Sequence, residues 1–284
     1  MAQGRRHKRE LALAAVAEVA RRLDLNPAGA IVIAESNNTI VRLPLEELVA
    51  KVSTSALEGR GETALERELR LGRRLADRRV PIASPADDGL AGPHQARGST
   101  LTLWRYVAPG EPPDDGDRLL GEAVRSFHAA LADIATELPH LTDKIELANR
   151  LLQGAAATPR LMPADRRLAE RAHDRLVPLV NSLSNSTALH GEPHDGNIVW
   201  SADGPVLIDF EAACQGPIEW DLSYLPVGTL SAFPGHHDET IAKLRAGVSF
   251  CVAAWCVTNP DPTPAVAEAA TVHWNALSRS WLAR

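Results

Sequence analysis

Leu189-His190-Gly191-Glu192-Pro193-His194-Asp195-Gly196-Asn197-Ile198-Val199, followed by Val206-Leu207-Ile208-Asp209-Phe210-Glu211, is the most informative part of the chain. A carboxylate, Glu192, stands five positions before an amide, Asn197. A second carboxylate, Asp209, closes an apolar run that predicts a buried strand. Such oxygen donors suit a hard cation such as Mg²⁺, which takes few protein carboxylates when phosphates and waters complete its shell. Asp209 offers a carboxylate ligand and Asn197 a carbonyl oxygen. Glu192 is spaced to accept a proton from an attacking hydroxyl. Gly191 and Gly196 suit a tightly bent loop. A lone His-Gly, or a lone Asp after an apolar run, is commonplace. The joint spacing points to phosphoryl transfer, in which catalysis is mostly positioning and charge neutralisation.

The same residues resemble the aminoglycoside phosphotransferase and choline kinase family. Its signature runs His-Gly-Asp-x-His-x-x-Asn and then an apolar strand ending in Asp. The resemblance implies a protein-kinase-like fold, with ATP or another nucleoside triphosphate and Mg²⁺ as cofactors. By the resemblance His190 organises the loop and Glu192 is the catalytic base. Asn197 and Asp209 are the magnesium ligands, and His194 lines the phosphate or substrate side. Glu192 departs from the pattern, which has Asp there. Charge is kept, but a methylene and a rotatable bond are added, so either the pocket is adjusted to it or activity is weak. Asp195 is a minor alternative base. Asp221 resembles the family's downstream aspartate, an acceptor for the backbone of the catalytic loop; a helix-start reading fits it equally well.

The first third of the chain predicts helix (8–23), strands around 31–33, 39–41 and 48–52, a helix at 62–77 and a strand at 101–107. Lys51, in Val49-Ala50-Lys51-Val52, lies close to the Val-Ala-Ile-Lys motif whose strand lysine pairs with α/β-phosphates in kinases; a solvent-facing strand lysine is the alternative. On the 62–77 helix Glu68 falls inside the apolar arc while Glu66 lies off it. A carboxylate on an apolar face needs a partner, so Glu68 is assigned to Lys51. Residues 34–41 contain no glycine, and Ser36, Asn37 and Asn38 are the candidates for a phosphate-covering turn, with a plain hairpin turn as the alternative. By the two-lobe analogy, backbone groups at Arg105, Tyr106 and Val107 meet the adenine edge. Pro109–Gly116 reads as a linker. Helices are expected near 118–135, 143–154, 164–183, 238–257 and 264–282. The fold class is therefore α+β and bilobal, with a small strand-rich N-lobe (1–107) and a larger, mostly helical C-lobe (108–284), the nucleotide lying in the cleft.

The 284 residues are 45% hydrophobic with net charge −6. A mildly acidic chain argues against nucleic acid as partner, and no apolar run reads as long enough to cross a membrane. The basic N-terminus followed by Glu18, Arg21 and Arg22 reads as an amphipathic helix rather than a signal peptide. Cys214, Cys251 and Cys256 show no metal-ligand spacing, and a reducing cytoplasm fits. The expected partner is a small-molecule hydroxyl acceptor docking near Glu192, His194 and Glu211. Glu219, Asp238 and Glu239 could enrich a cationic one, an amino sugar or aminoglycoside, at the site; a neutral metabolite is the alternative. A catalytically impaired nucleotide-binding protein is the rival class, motivated by Glu192 and the missing glycines.

Overall fold

The computed structural model describes residues 2–35, 38–54, 61–154, 158, 161–184, 186–259 and 262–283. In chain order the first elements are α1 (Ala2–Arg22), β1 (Ile31–Glu35), β2 (Asn38–Leu43), β3 (Leu48–Ser53) and α2 (Glu62–Asp77). Next come β4 (His94–Ala96), β5 (Ser99–Arg105), α3 (Gly116–Leu131), α4 (Leu141–Gln153), α5 (Pro163–Ser182) and β6 (Ser186–Leu189). The last are β7 (Ile198–Ser201), β8 (Gly204–Leu207), β9 (Cys214–Pro217), α6 (Glu219–Leu222), α7 (Asp238–Thr258) and α8 (Pro264–Arg279). They form two compact units, Met1–Ala130 with Asp195–Ala212 and Leu131–His194 with Ala213–Arg284.

The first unit is built on a five-stranded antiparallel sheet of order β1-β2-β3-β5-β4. β3 is central, so both its edges are paired, and Lys51 lies opposite Ile40 and Thr102, buried. α2 buries Ala64, Leu65, Glu68, Leu69, Leu71, Gly72 and Leu75, the i, i+3, i+4 spacing of an amphipathic helix. Glu66 is exposed, as the arc predicts. Gly72 allows close approach to β5, since a Cβ there would meet the Trp104 ring at 2.8 Å. Trp104 in turn stacks edge-on against Phe210, at 5.8 Å, as a core residue. The β7–β8 hairpin also belongs to this unit.

The second unit is mostly helical. Leu141, Ile145, Ala148 and Leu152 of α4 pack with Leu168, Ala172 and Leu176 of α5, and with Leu244, Phe250, Cys251 and Ala254 of α7. β6 and β9 pair beneath them, Leu189 opposite Cys214. α7 corrects one expectation, being long and apolar enough to cross a membrane, with a best-window mean hydropathy of 1.4. The reason for its apolarity is packing. More than half of that window is buried, and a Cβ on Gly247 would strike Leu176 at 2.8 Å and Trp220 at 3.1 Å.

Candidate active site

Three segments of the first unit meet at Lys51. Its Nζ lies 2.7 Å from Glu68 Oε2 of α2, 2.5 Å from Asp209 Oδ1 and 3.2 Å from Glu211 Oε2. Lys51, Glu68 and Glu211 are buried; Asp209 is about one-third exposed, its side chain at 33%. Burial disfavours the ammonium, but Asp209, Glu211 and Glu68 together outweigh it, so Lys51 is held protonated above its ordinary range. Burial is also the main influence on Glu68. With Asp209 and Glu211 adding to it, and Lys51 opposing, the Glu68 carboxyl is pushed up to about 8. Ligand oxygens of Glu68, Asp209 and Glu211 all lie within 4.8 Å of one another. Even with the Glu68 carboxyl pushed up, Asp209 and Glu211 beside the single Lys51 ammonium leave excess negative charge on hard oxygen donors, which fits a divalent cation.

Asp209 follows β8 by two residues, and its φ of 59° places it in the left-handed region, where Asp is tolerated better than most residues. The neighbours hold it there. Leu207 bonds to the 81–83 segment on both sides, through its N–H to Pro81 O and its O from Ala83 N–H. Phe210 is wholly buried between Trp104 and Phe127. The Ile208 N–H donates to Asn197 O at 3.0 Å, and Ile198 pairs with Leu207. Asn197 and Asp209 thus flank the open end of one hairpin.

The His-Gly-Glu loop belongs to the second unit, and Asp221 organises it. This wholly buried carboxylate accepts from the N–H of His190 at 2.8 Å and of Gly191 at 2.9 Å. Of the two readings of Asp221, backbone acceptor is the one its geometry fits. Gly191 has φ 90°, a conformation natural to glycine. Its carbonyl accepts from Trp220 Nε1 and from Lys144 Nζ, both at 2.9 Å. Lys144 also pairs with Glu192 Oε1 at 2.8 Å. His194 is exposed, its N–H donating to Glu192 O at 2.8 Å and its ring 6.4 Å from that of Tyr224. The buried Tyr224 hydroxyl is held well above its ordinary range by desolvation, reinforced by Glu192.

Other sequence-derived positions fare differently. Ser36 and Asn37 lie outside the described residues. Asn38 is buried and donates from Nδ2 to Glu211 Oε2 at 2.9 Å. Glu211, read from sequence as part of the acceptor side, therefore sits beside Lys51. Arg105 ends β5, its N–H on Ser84 O and its guanidinium on Asp87. Val107 is half-buried just beyond it. The three acidic residues expected to gather a cation are not alike. Glu219 is buried in α6, whereas Asp238 and Glu239 are exposed and pair locally with His236 and Lys243. Sequence reasoning missed Lys144 and Tyr224. Lys144 is an ordinary-looking lysine in a mixed helix, and only its burial marks it out.

Comparison with known proteins gives the fold and the family. The chain superposes on amicoumacin kinase hAmiN, solved with AMP-PNP, Ca²⁺ and Ami, with TM-score 0.66 at 13% identity, covering 92% of each chain. It superposes on aminoglycoside 2'-phosphotransferase-IIIa, solved with GDP, at TM-score 0.64 and 14% identity, covering 94% of this chain and 99% of that one. Choline kinase LicA from Streptococcus pneumoniae gives 0.63 at 13% identity, covering 93% and 98%. These likenesses establish a protein-kinase-like fold. Among curated proteins, methionyl-tRNA formyltransferase from Janthinobacterium sp. (strain Marseille) is 30% identical over 200 residues, 66% of this chain. The chain spans 58% of that relative's length. Residues 33–246, which contain Lys51, Glu68, the His-Gly-Glu loop, Asp209 and Asp221, match the phosphotransferase enzyme family. The chain belongs to that family.

Proposed function

We propose that this protein moves the γ-phosphate of ATP, or of another nucleoside triphosphate, to a hydroxyl of a small molecule. The observation that carries the reading is the contact of Lys51 with both Glu68 and Asp209. A strand lysine fixed by a helix glutamate is the arrangement that orients α/β-phosphates in kinases. Residues 1–107 cover the nucleotide, and 108–284 carry the catalytic loop and acceptor site. Asn38, at the start of β2 and bonded to Glu211, would lie beside the phosphates, and backbone groups at Arg105 and Val107 would meet the base. Asn197 and Asp209 would hold Mg²⁺, which neutralises charge on the phosphate oxygens when bound. Glu192 accepts the proton of the acceptor O–H as the new O–P bond forms. The bond between the γ-phosphorus and the bridging oxygen breaks, and its electron pair leaves on the nucleoside diphosphate. His194 orients the reacting groups.

Aminoglycosides and amino sugars, the kind of acceptor suggested by structurally similar enzymes, are the first class to screen. A neutral alcohol is the second reading, favoured by the local pairing of Asp238 and Glu239 and by Lys144 against Glu192. The three thiols, free where described, fit a reducing cytoplasm. A coupled nucleotide-consumption screen across aminoglycosides, amino sugars, choline and small neutral alcohols tests the proposal, with product mass as readout. Gain of one phosphate supports it. Nucleotide binding without turnover on any acceptor would favour an impaired nucleotide-binding protein.

A further inference from the structure

Glu192 is longer by one methylene than the aspartate of the family's pattern, and Lys144 meets its end. The side chains of Lys144 and Glu192 are only 10% and 14% exposed, and their charged atoms lie 2.8 Å apart. Lys144 Nζ also bonds to Gly191 O at 2.9 Å and lies 5.7 Å from the centre of the Trp220 ring. An ammonium so placed neutralises the carboxylate, holds the backbone next to it and removes the freedom of the extra rotatable bond. We propose that Lys144 is a positioning residue for the catalytic base, locking the longer Glu192 in one rotamer and keeping it ionised. The inference rests on the proposed role of Glu192.

The groups around Glu192 make this a one-sided device. Tyr224 follows α6, and Cys251 and Cys256 come from α7. Burial pushes these thiols up, to about 12 and about 11, with Glu192 adding to both shifts. All three side chains are therefore neutral near pH 7. Asp221 is committed to the N–H groups of His190 and Gly191. His190 faces the loop through Nδ1, which accepts from the Glu192 N–H at 3.4 Å. Burial, and then His194, lower the His273 imidazole of α8. Lys144 is the cation at the carboxylate among these groups.

An opposite charge at this distance lowers a carboxyl pKa by about 1–3 units, so its loss raises it by a like amount. The test follows Glu192 by carboxyl ¹³C NMR in glutamate-labelled protein, assigned by Glu192→Gln, alongside kcat against pH with an acceptor found in the screen. Lys144→Met should raise the Glu192 midpoint and the acid limb of kcat by about one unit or more, and lower kcat at neutral pH at least tenfold. Lys144→Arg should restore the limb. In a Glu192→Gln background Lys144→Met should have little further effect on kcat. If Lys144→Met does not fold, Lys144→Gln against Lys144→Arg makes the same comparison. An unmoved midpoint, or effects that multiply in the double variant, overturns the positioning role while leaving Glu192 as base. A Glu192→Gln enzyme with unchanged turnover overturns both.

Discussion

Asp209 illustrates how one residue does two incompatible-looking things. Its carboxylate balances Lys51, and its backbone adopts the left-handed region at a cost of roughly 1–2 kcal/mol for an L-residue. Asp209→Ala keeps the strain and removes the proposed metal ligand, so phosphoryl transfer should fall by about 10³-fold or more; Asp209→Asn should remain nearly as impaired, since it keeps the shape without the charge. Initial rates at saturating nucleotide check both. Glu68 carries a pH dependence of opposite sign to an ordinary paired carboxylate. Its folded-state value is about 8, against 4.5 ordinarily. Between those limits the unfolded chain has released a proton that the folded protein keeps. Stability is therefore fullest below about pH 4.5 on this group's account and falls as pH rises through about 8. The thermal midpoint measured in EDTA, without nucleotide, should decline from pH 5 to pH 8. Glu68→Gln, which stays neutral throughout, should flatten that decline.

Among the elements, those with strong periodicity were legible before any coordinates. α2 begins and ends where its pattern does, at Glu62 and Asp77, and the arc argument separated buried Glu68 from exposed Glu66. The long helices α4, α5, α7 and α8 fall within a few residues of their expected spans. β4, β6 and β9 were not legible. Each has only three or four residues, too few for alternation to register, and β6 and β9 pair across the catalytic loop's own sequence. The Asp209 side of the site could be read because its donors sit at fixed spacing. The Lys144 side could not, because a helix lysine becomes informative only when packing buries it. Gly72 gives the element-scale prediction. Its α-carbon faces Trp104 and Pro85, and a methyl there would lie 2.8 Å and 3.1 Å from them. Gly72→Ala should push α2 off β5 and cost about 1–3 kcal/mol. The same displacement should loosen Glu68, one turn earlier, from Lys51. Chemical denaturation should show the lost stability, and nucleotide KM should rise more than kcat falls.

For the whole molecule, the proposed site residues divide between the two compact units. Lys51, Glu68, Asn38, Arg105, Val107, Asn197 and Asp209 belong to the first, while Glu192, His194, Lys144 and Asp221 belong to the second. On the proposed roles, the groups that would meet the nucleotide and the group that would take the proton belong to separate units, between which the chain passes after Ala130, after His194 and after Ala212. Chains of two units often unfold in more than one step, which lets the two contributions be separated. A ligand at one hundred times its Kd stabilises the state that binds it by about 2.7 kcal/mol. In calorimetry, ATP with Mg²⁺ should therefore raise the transition belonging to the first unit by several degrees and move the other less. Lys51→Met should remove most of that shift, because it deletes the cation proposed to meet the phosphates. Glu192→Gln should leave the shift intact while turnover falls, since the proposed base would meet the acceptor and not the nucleotide. Equal shifts in both transitions, or an undiminished shift in Lys51→Met, would show that nucleotide binding does not depend on the first unit's cluster.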